Sequence, residues 1–525
     1  MYFTKNILRF GGHKMSGSIG WIMLAFALYL LMMVVVGIVC AKQNNSAEDY
    51  FLGGRQLNGW VAALSAQASD MSGWLLMGLP GSVYALGTGQ AWIAIGLFLG
   101  TVCNWLFISG RLRSYTIRAN NALTLPTYFE NRFHDKKRIL LLLSSITIVI
   151  FFLVYTASAL AAGGKLFHSI FGLDYKLSLT VGALVILVYT FMGGFLAVCV
   201  TDFIQGSLML VALLAIPLIA LGLIGGDFTA ILEQSGVPGG AAGYLSLTND
   251  GTGAYSAVDI ISQLAWGLGY CGMPHILVRF MAVKDKVELK KSKAIAIVWV
   301  ALSLGFAVLI GLVGRVYLFP AVLTDGAEES VFTEMIIKMF TQDMYAPVVG
   351  GIFLCGILAA IMSTADSQLL VSASSMAEDI FRGVIKKDLD DKSVLNISRI
   401  TVLVIAVLAY IIALNPDNSI MGLVSNAWAG LGAAFGPTVL LSLYWKRTNL
   451  QGAVAGIAVG ALTVIVWDYI PLAAGQTLGA VTGLYSLAIG FVLSLLAIVV
   501  VSLVTPAPGR EILQEFEDVA NGNVE

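Results

Sequence analysis

Residues Ser65–Trp74 read SAQASDMSGW and set a carboxylate, Asp70, inside a long apolar run, between LNGWVAAL (Leu57–Leu64) and LLMGL (Leu75–Leu79). A carboxylate at the centre of a bilayer costs on the order of 2.5–3.5 kcal/mol by insertion scales, so Asp70 must face protein, water or a cation. Its neighbours weaken the helix. Gly73 does so by about 1 kcal/mol relative to Ala, and Ser72 and Asp70 by offering the backbone competing hydrogen bonds. Unwinding here would free carbonyls to ligate a cation and N–H groups to receive an anion. Two plainer readings compete: a braced acid held by nearby serines, and a close helix contact through Ala66, Ala68, Ser72 and Gly73.

Two further stretches carry chemistry. In Ser363–Gln368 (STADSQ), Ala360, Ser363, Thr364 and Ser367 follow i, i+3, i+4, i+7 and share one helix face. Adjacent hydroxyls with a carbonyl form a half-shell for a hard monovalent cation, although hydroxyls capping their own helix would look the same. Asp366 adjoins them about a third of a turn away. In Trp266–His275 (WGLGYCGMPH), Trp266, Tyr270 and Pro274 follow i, i+4, i+8, flanked by Gly267, Gly269 and Gly272. Aromatic rings on one face beside weakened backbone suit a small, partly apolar solute; ordinary packing is the alternative. GLGYCG matches GxGxxG formally, but no βαβ unit surrounds it, and AGGKL (Ala162–Leu166) lacks the spacing of a phosphate loop. Neither a nucleotide nor an organic cofactor is expected.

Membrane helices must position these residues. The chain of 525 residues is 58% hydrophobic and 12% charged, against about 25% charged in soluble domains. Apolar blocks of about 20 residues match a hydrocarbon core of about 30 Å. Block lengths predict about thirteen spans, at 20–41, 57–82, 90–109, 139–167, 176–198, 202–224, 257–281, 294–319, 347–376, 395–414, 419–445, 451–470 and 481–504. The first block, Gly20–Cys40, is too long for the apolar region of a signal peptide, so it is read as a span. The net charge of −1 suggests no nucleic-acid partner, and five scattered cysteines suggest neither disulfides nor zinc. Gly452, Gly456 and Gly460 in the twelfth span read as close helix packing.

Basic residues set the orientation. Linker 110–138 holds Arg111, Arg113, Arg118, Arg132, Lys136, Lys137 and Arg138. Linkers 282–293 and 379–393 are similarly basic, and Lys446 and Arg447 follow the eleventh span. The alternate linkers, including Gly225–Ser256, carry almost none. The positive-inside rule puts the basic set in the cytoplasm, the N-terminus outside and the C-terminus inside. Lys5, Arg9 and Lys14 oppose this, which suggests Met15, at the head of MSGSIG, as the natural start. Spans 2, 7 and 9 read as interrupted, the ninth at STADSQ; spans 2 and 7 open two blocks of five, 57–224 and 257–445, and because five is odd the second is inverted. The extra spans are 20–41 and the pair within 451–504, and the tail is 505–525.

The chain resembles the sodium:solute symporter family, and within it the proline branch. The resemblance is carried by YFLGGRQL (Tyr50–Leu57), ALSAQASDMSGWLLMGLPG (Ala63–Gly81), SGRLR (Ser109–Arg113), NNALTLPTYF (Asn120–Phe129) and GGFLAV (Gly193–Val198). It continues in WGLGYCGMPHILVRFMA (Trp266–Ala282), ILAAIMSTADSQLLV (Ile357–Val371) and AWAGLGAAFGP (Ala427–Pro437). It implies an all-α LeuT-type core of five plus five helices in a multi-pass cell-membrane protein. It also implies sodium ligands at the carbonyls of Ala68, Met71 and Ala360 and the hydroxyls of Ser363 and Thr364. Solute positions would be Ser72, Gly73, Trp74, Tyr155, Trp266, Tyr270 and Pro274. Asp70, Arg55 and Asp202 match supporting positions, and the acid at Asp366 departs from the proline branch.

The expected function is therefore sodium-coupled uptake of L-proline by alternating access, with sodium as coupling ion and no enzymatic reaction. A symporter for another small solute is the near alternative. A passive channel or a membrane sensor belongs to a different class; saturable uptake that requires a sodium gradient separates them.

Overall fold

The computed structural model describes residues 15–41, 47–190, 194–249, 253–386, 388–473 and 475–522. Lys5, Arg9, Lys14, Gly193 and Lys387 lie outside them. Helices make up nearly all the described chain, as hydrocarbon demands: without water, backbone N–H and C=O groups must pair within their own segment. The principal helices run, in chain order, α1 (Met15–Ala41), α2 (Gly59–Asp70), α3 (Trp74–Leu86) and α4 (Thr88–Arg118). Next come α5 (Ile139–Phe171), α6 (Tyr175–Thr190), α7 (Phe195–Leu223), α8 (Ala257–Leu264) and α9 (Pro274–Ala282). Then follow α10 (Lys286–Leu318), α11 (Pro347–Ile385), α12 (Asp391–Ala413) and α13 (Ile420–Tyr444). The chain closes with α14 (Leu450–Tyr469), α15 (Ser486–Val504) and α16 (Arg510–Ala520).

Ten helices among the described residues are long and apolar enough to cross a membrane. The other three predicted spans are the two that break, α2 with α3 and α8 with α9, and the short α6. Helix α6 ends at Thr190 and α7 already begins at Phe195, so the expected boundary between 198 and 202 is displaced. The predicted spans leave Thr201 between them and start the next at Asp202. In the fold both residues lie inside the bundle, Thr201 donating to the Ala197 carbonyl at 2.9 Å and Asp202 paired across helices.

The ninth span also differs from expectation: it is not interrupted at STADSQ. Ser363 bonds back to the Ala360 carbonyl at 3.1 Å and the α-helix continues to Ser374. It then widens into i→i+5 winding over Ser375–Ile385, past the expected end at 376.

Burial sorts the helices into centre and rim. In their most apolar stretches α11 and α13 are 78% and 83% buried, whereas α1 and α15 are only 33% and 28% buried. Trp21, Leu28 and Leu31 of α1 are exposed, as a helix against lipid requires. Between α14 and its neighbours the three glycines permit contact: a Cβ at Gly456 would lie 2.3 Å from Ile498 of α15, and one at Gly460 would lie 2.3 Å from the Ala433 carbonyl of α13. On the face that carries the basic linkers, α16 lies over the chain near Arg118 and His134, with Phe516 and Val519 buried.

Candidate transport site

Helix α2 stops at Asp70 because Met71 leaves helical geometry (φ −86°, ψ 79°). The Ser72 N–H turns back to the Asp70 carbonyl at 3.0 Å, a tight three-residue turn. Winding resumes with a wide turn at Trp74, whose N–H is met by the Ser72 hydroxyl at 3.3 Å and whose indole N–H donates to the Asp70 carbonyl at 3.0 Å. Gly73 is required by proximity: a Cβ there would sit 2.7 Å from that of Ala162 on α5. Ser72, Trp74 and Tyr155 of α5 gather at this break, all buried, with Tyr155 in reach of both others.

The break faces α11. Ser363 Oγ donates to the Ala68 carbonyl at 2.7 Å, and Thr364 Oγ1 approaches the same carbonyl at 3.4 Å. With the Ala360 carbonyl, four of the five oxygens expected for sodium converge from two helices distant in sequence. Met71 stands apart from this set of hydrogen bonds; its sulfur is met by the Ser303 hydroxyl of α10 at 3.6 Å. Such a cluster suits a hard cation, because each hydroxyl can turn its lone pairs toward an ion that the carbonyls also face.

The seventh span breaks as well. Helix α8 gives way to a 3₁₀ stretch over Ala265–Gly272, Met273 is extended, and Pro274 starts α9. A 3₁₀ helix has three residues per turn, so Trp266, Tyr270 and Pro274 do not form the single face that a 3.6-residue period predicts. They are spread along the axis instead. Trp266 stacks on Tyr485 at 5.3 Å, Tyr270 donates its hydroxyl to Asp70 Oδ2 at 2.6 Å, and Pro274 borders a small cavity with Thr124. Asp70 thus joins the two broken spans, and its Oδ1 has no hydrogen-bond partner among the described residues.

A second buried network lies on the same helices. Arg279 of α9 donates to Asp202 of α7 at 3.2 Å, Ser65 of α2 at 3.1 Å, Ser367 of α11 at 2.6 Å and the His275 carbonyl at 2.7 Å. Both charges are almost wholly buried; removing one partner of such a pair typically costs 3–5 kcal/mol. Sequence reasoning singled out Asp202 but passed over Arg279, although an arginine inside an expected span carries the same warning as Asp70. Arg55 bonds to none of these groups. It has positive φ and ties the start of α2 to Met281, Asn121 and Ala122.

Comparison with known proteins agrees with this architecture. The pattern of the family described as "Sodium:solute symporter family" matches residues 50–460. The Escherichia coli protein named "Sodium/proline symporter" is 42% identical over 94% of this chain and 95% of its own length. The Bacillus subtilis "Osmoregulated proline transporter OpuE" is 43% identical over 93% and 96%. Among solved structures, a Na⁺-coupled sialic acid symporter in a substrate-bound outward-open state superposes with a TM-score of 0.75. It is 20% identical and covers 93% of this chain and 99% of that one, which shows the fold, of the LeuT type. With two broken spans packed on an unbroken α11 and a family pattern spanning most of the helices, the chain belongs to the sodium:solute symporter family.

Proposed function

We propose that this protein takes up L-proline into the cell by coupling it to inward sodium movement, through alternating access. The observation that carries the reading is the convergence of Ser363 and Thr364 on the Ala68 carbonyl, beside the broken backbone at Met71–Gly73. Several relatives above 40% identity over nearly the whole chain bear the name sodium/proline symporter, which supports the choice of solute.

Sodium is held by the carbonyls of Ala68, Met71 and Ala360 and the hydroxyls of Ser363 and Thr364. Proline is zwitterionic, so its carboxylate lies against the N–H groups at the start of α3, where the helix dipole is positive. Ser72, Gly73 and Trp74 line that end, and the ring rests against Tyr155 and Tyr270, the two expected aromatic residues that reach the break at Asp70–Trp74. An ion bound between α2 and α11 fixes the break on which the solute rests, so each ligand raises the affinity for the other by the same factor. The basic linkers mark the cytoplasmic side, and the membrane potential drives sodium inward with about 2.3 kcal/mol per charge per 100 mV.

Radiolabelled proline uptake into proteoliposomes tests this. Uptake is expected with an inward sodium gradient and not when potassium or choline replaces sodium. Equal uptake in all three salts refutes sodium coupling, and no proline uptake refutes the solute.

A further inference from the structure

A cavity of about 20 Å³, room for one water-sized guest, lies between Pro274 and Val278 of α9, Thr124 and Leu125, and Ser374 and Ser375 of α11. The expected solute position Pro274 lies on its wall. One hydrogen bond behind its polar wall sits Asp379, buried in the widened part of α11. Its Oδ1 accepts from Thr124 Oγ1 at 2.7 Å and Thr127 Oγ1 at 2.9 Å. Its Oδ2 has no partner among the described residues, and neither has the buried hydroxyl of Ser375, four residues earlier on the same helix.

Among the described residues no side-chain cation pairs with this carboxylate. Arg382, the nearest in sequence, is spent on Glu378 at 3.2 Å and Asp391 at 2.8 Å. The charged groups that act on Asp379 are Glu378 and Glu130, both acidic. A bare carboxylate oxygen and a bare hydroxyl in apolar surroundings are costly to maintain, and each lowers its energy by taking a positive guest. The i→i+5 winding, closed by Lys386 N–H on the Phe381 carbonyl at 2.8 Å, is a form frequently found at functional sites.

We propose that Asp379 and Ser375 form a monovalent-cation site at the inner end of the pathway. Sodium leaving the level of Ser363 and Thr364 passes along the same helix, roughly 20 Å at 1.5 Å per residue, and is held by Asp379 before release. The inference rests on the sodium-coupled reading above. Thr124 and Thr127 hold Oδ1 and so leave Oδ2 for the ion.

The test is proline uptake into oriented proteoliposomes with internal sodium varied against choline. Internal sodium is expected to inhibit the wild type. Asp379→Asn is expected to raise the internal sodium needed for half-inhibition about tenfold, equivalent to one lost charge contact of roughly 1.4 kcal/mol, and to leave external half-saturation within about twofold. Ser375→Ala, which keeps the carboxylate and its two threonine bonds, is expected to raise it about threefold. Asp379→Glu restores wild-type behaviour. Internal and external values moving together, or neither variant changing the internal value, overturns the proposal. If Asp379→Asn does not insert, Ser375→Ala decides alone, and an unchanged internal value overturns it. Loss of external sodium dependence in the wild type refutes the coupling itself and is read separately.

Discussion

At the scale of single residues, the proposed sodium site turns on two hydroxyls that serve the same carbonyl. Ser363 and Thr364 both point at Ala68 O, at 2.7 and 3.4 Å. Ser363→Ala and Thr364→Ala should each raise the external sodium needed for half-maximal proline uptake by about tenfold or more, as expected when one of a few oxygen ligands is lost. A sodium titration of uptake checks this, and unchanged half-saturation removes these residues as ligands. Their pairing with Ala360 was legible in sequence because helical spacing alone puts residues three and four apart on one face. The partners of Asp70 and Asp202 were not legible. Tyr270 is 200 residues from Asp70, and Arg279 is 77 from Asp202; nothing in local periodicity joins such positions.

At the scale of elements, the breaks in the second and seventh spans could be read from glycine and serine in apolar runs, and the structure has both. The same logic failed for the ninth span, because Ser363 satisfies its own helix and the hydroxyls do not compete with the ladder. The seventh span's 3₁₀ winding was hidden too, since it follows from how closely α13 approaches. A Cβ on Gly269 would lie 2.1 Å from Trp428 Nε1, and that indole cannot give way freely because it donates to the Trp266 carbonyl at 2.8 Å. Gly269→Ala should therefore destabilise the protein by about 1–3 kcal/mol, the usual cost of overpacking. Thermal unfolding in detergent should show a lower midpoint for this variant and none for Gly305→Ala, where the added methyl meets nothing within 4 Å. Equal midpoints would mean that the contact yields.

For the molecule as a whole, block length located nearly every spanning helix, while charge placed the tail after the last span on the side of the basic linkers without showing that it would form a helix packed against them. Helix α16 returns to the basic face. Arg118 meets Asp518 at 3.3 Å, His134 meets Glu515 at 3.1 Å, and the Arg132 guanidinium lies 5.5 Å from the centre of the Phe516 ring. Exposed ion pairs contribute about 0–1 kcal/mol and are screened by salt, whereas a buried phenyl ring contributes about 1.5–3 kcal/mol. Phe516→Ala should thus raise amide hydrogen exchange across 510–520 well beyond the effect of Glu515→Gln. The reverse order would make charge the main anchor.

The tight turn at Met71 has a consequence for how fast the whole machine can turn over. Between Asp70 and Trp74 the backbone has already given up its α-helical ladder and keeps the tight-turn bond from Ser72 N–H to the Asp70 carbonyl at 3.0 Å, so a swing of α3 relative to α2 disturbs few backbone bonds. The barrier to reorientation is then made of side-chain contacts, such as Tyr270 on Asp70 and the Trp74 indole on the Asp70 carbonyl. Those are contacts that an arriving solute or ion can exchange for its own. Met71–Gly73 is thus a place where little backbone bonding resists bending, held mainly by contacts that cargo can replace.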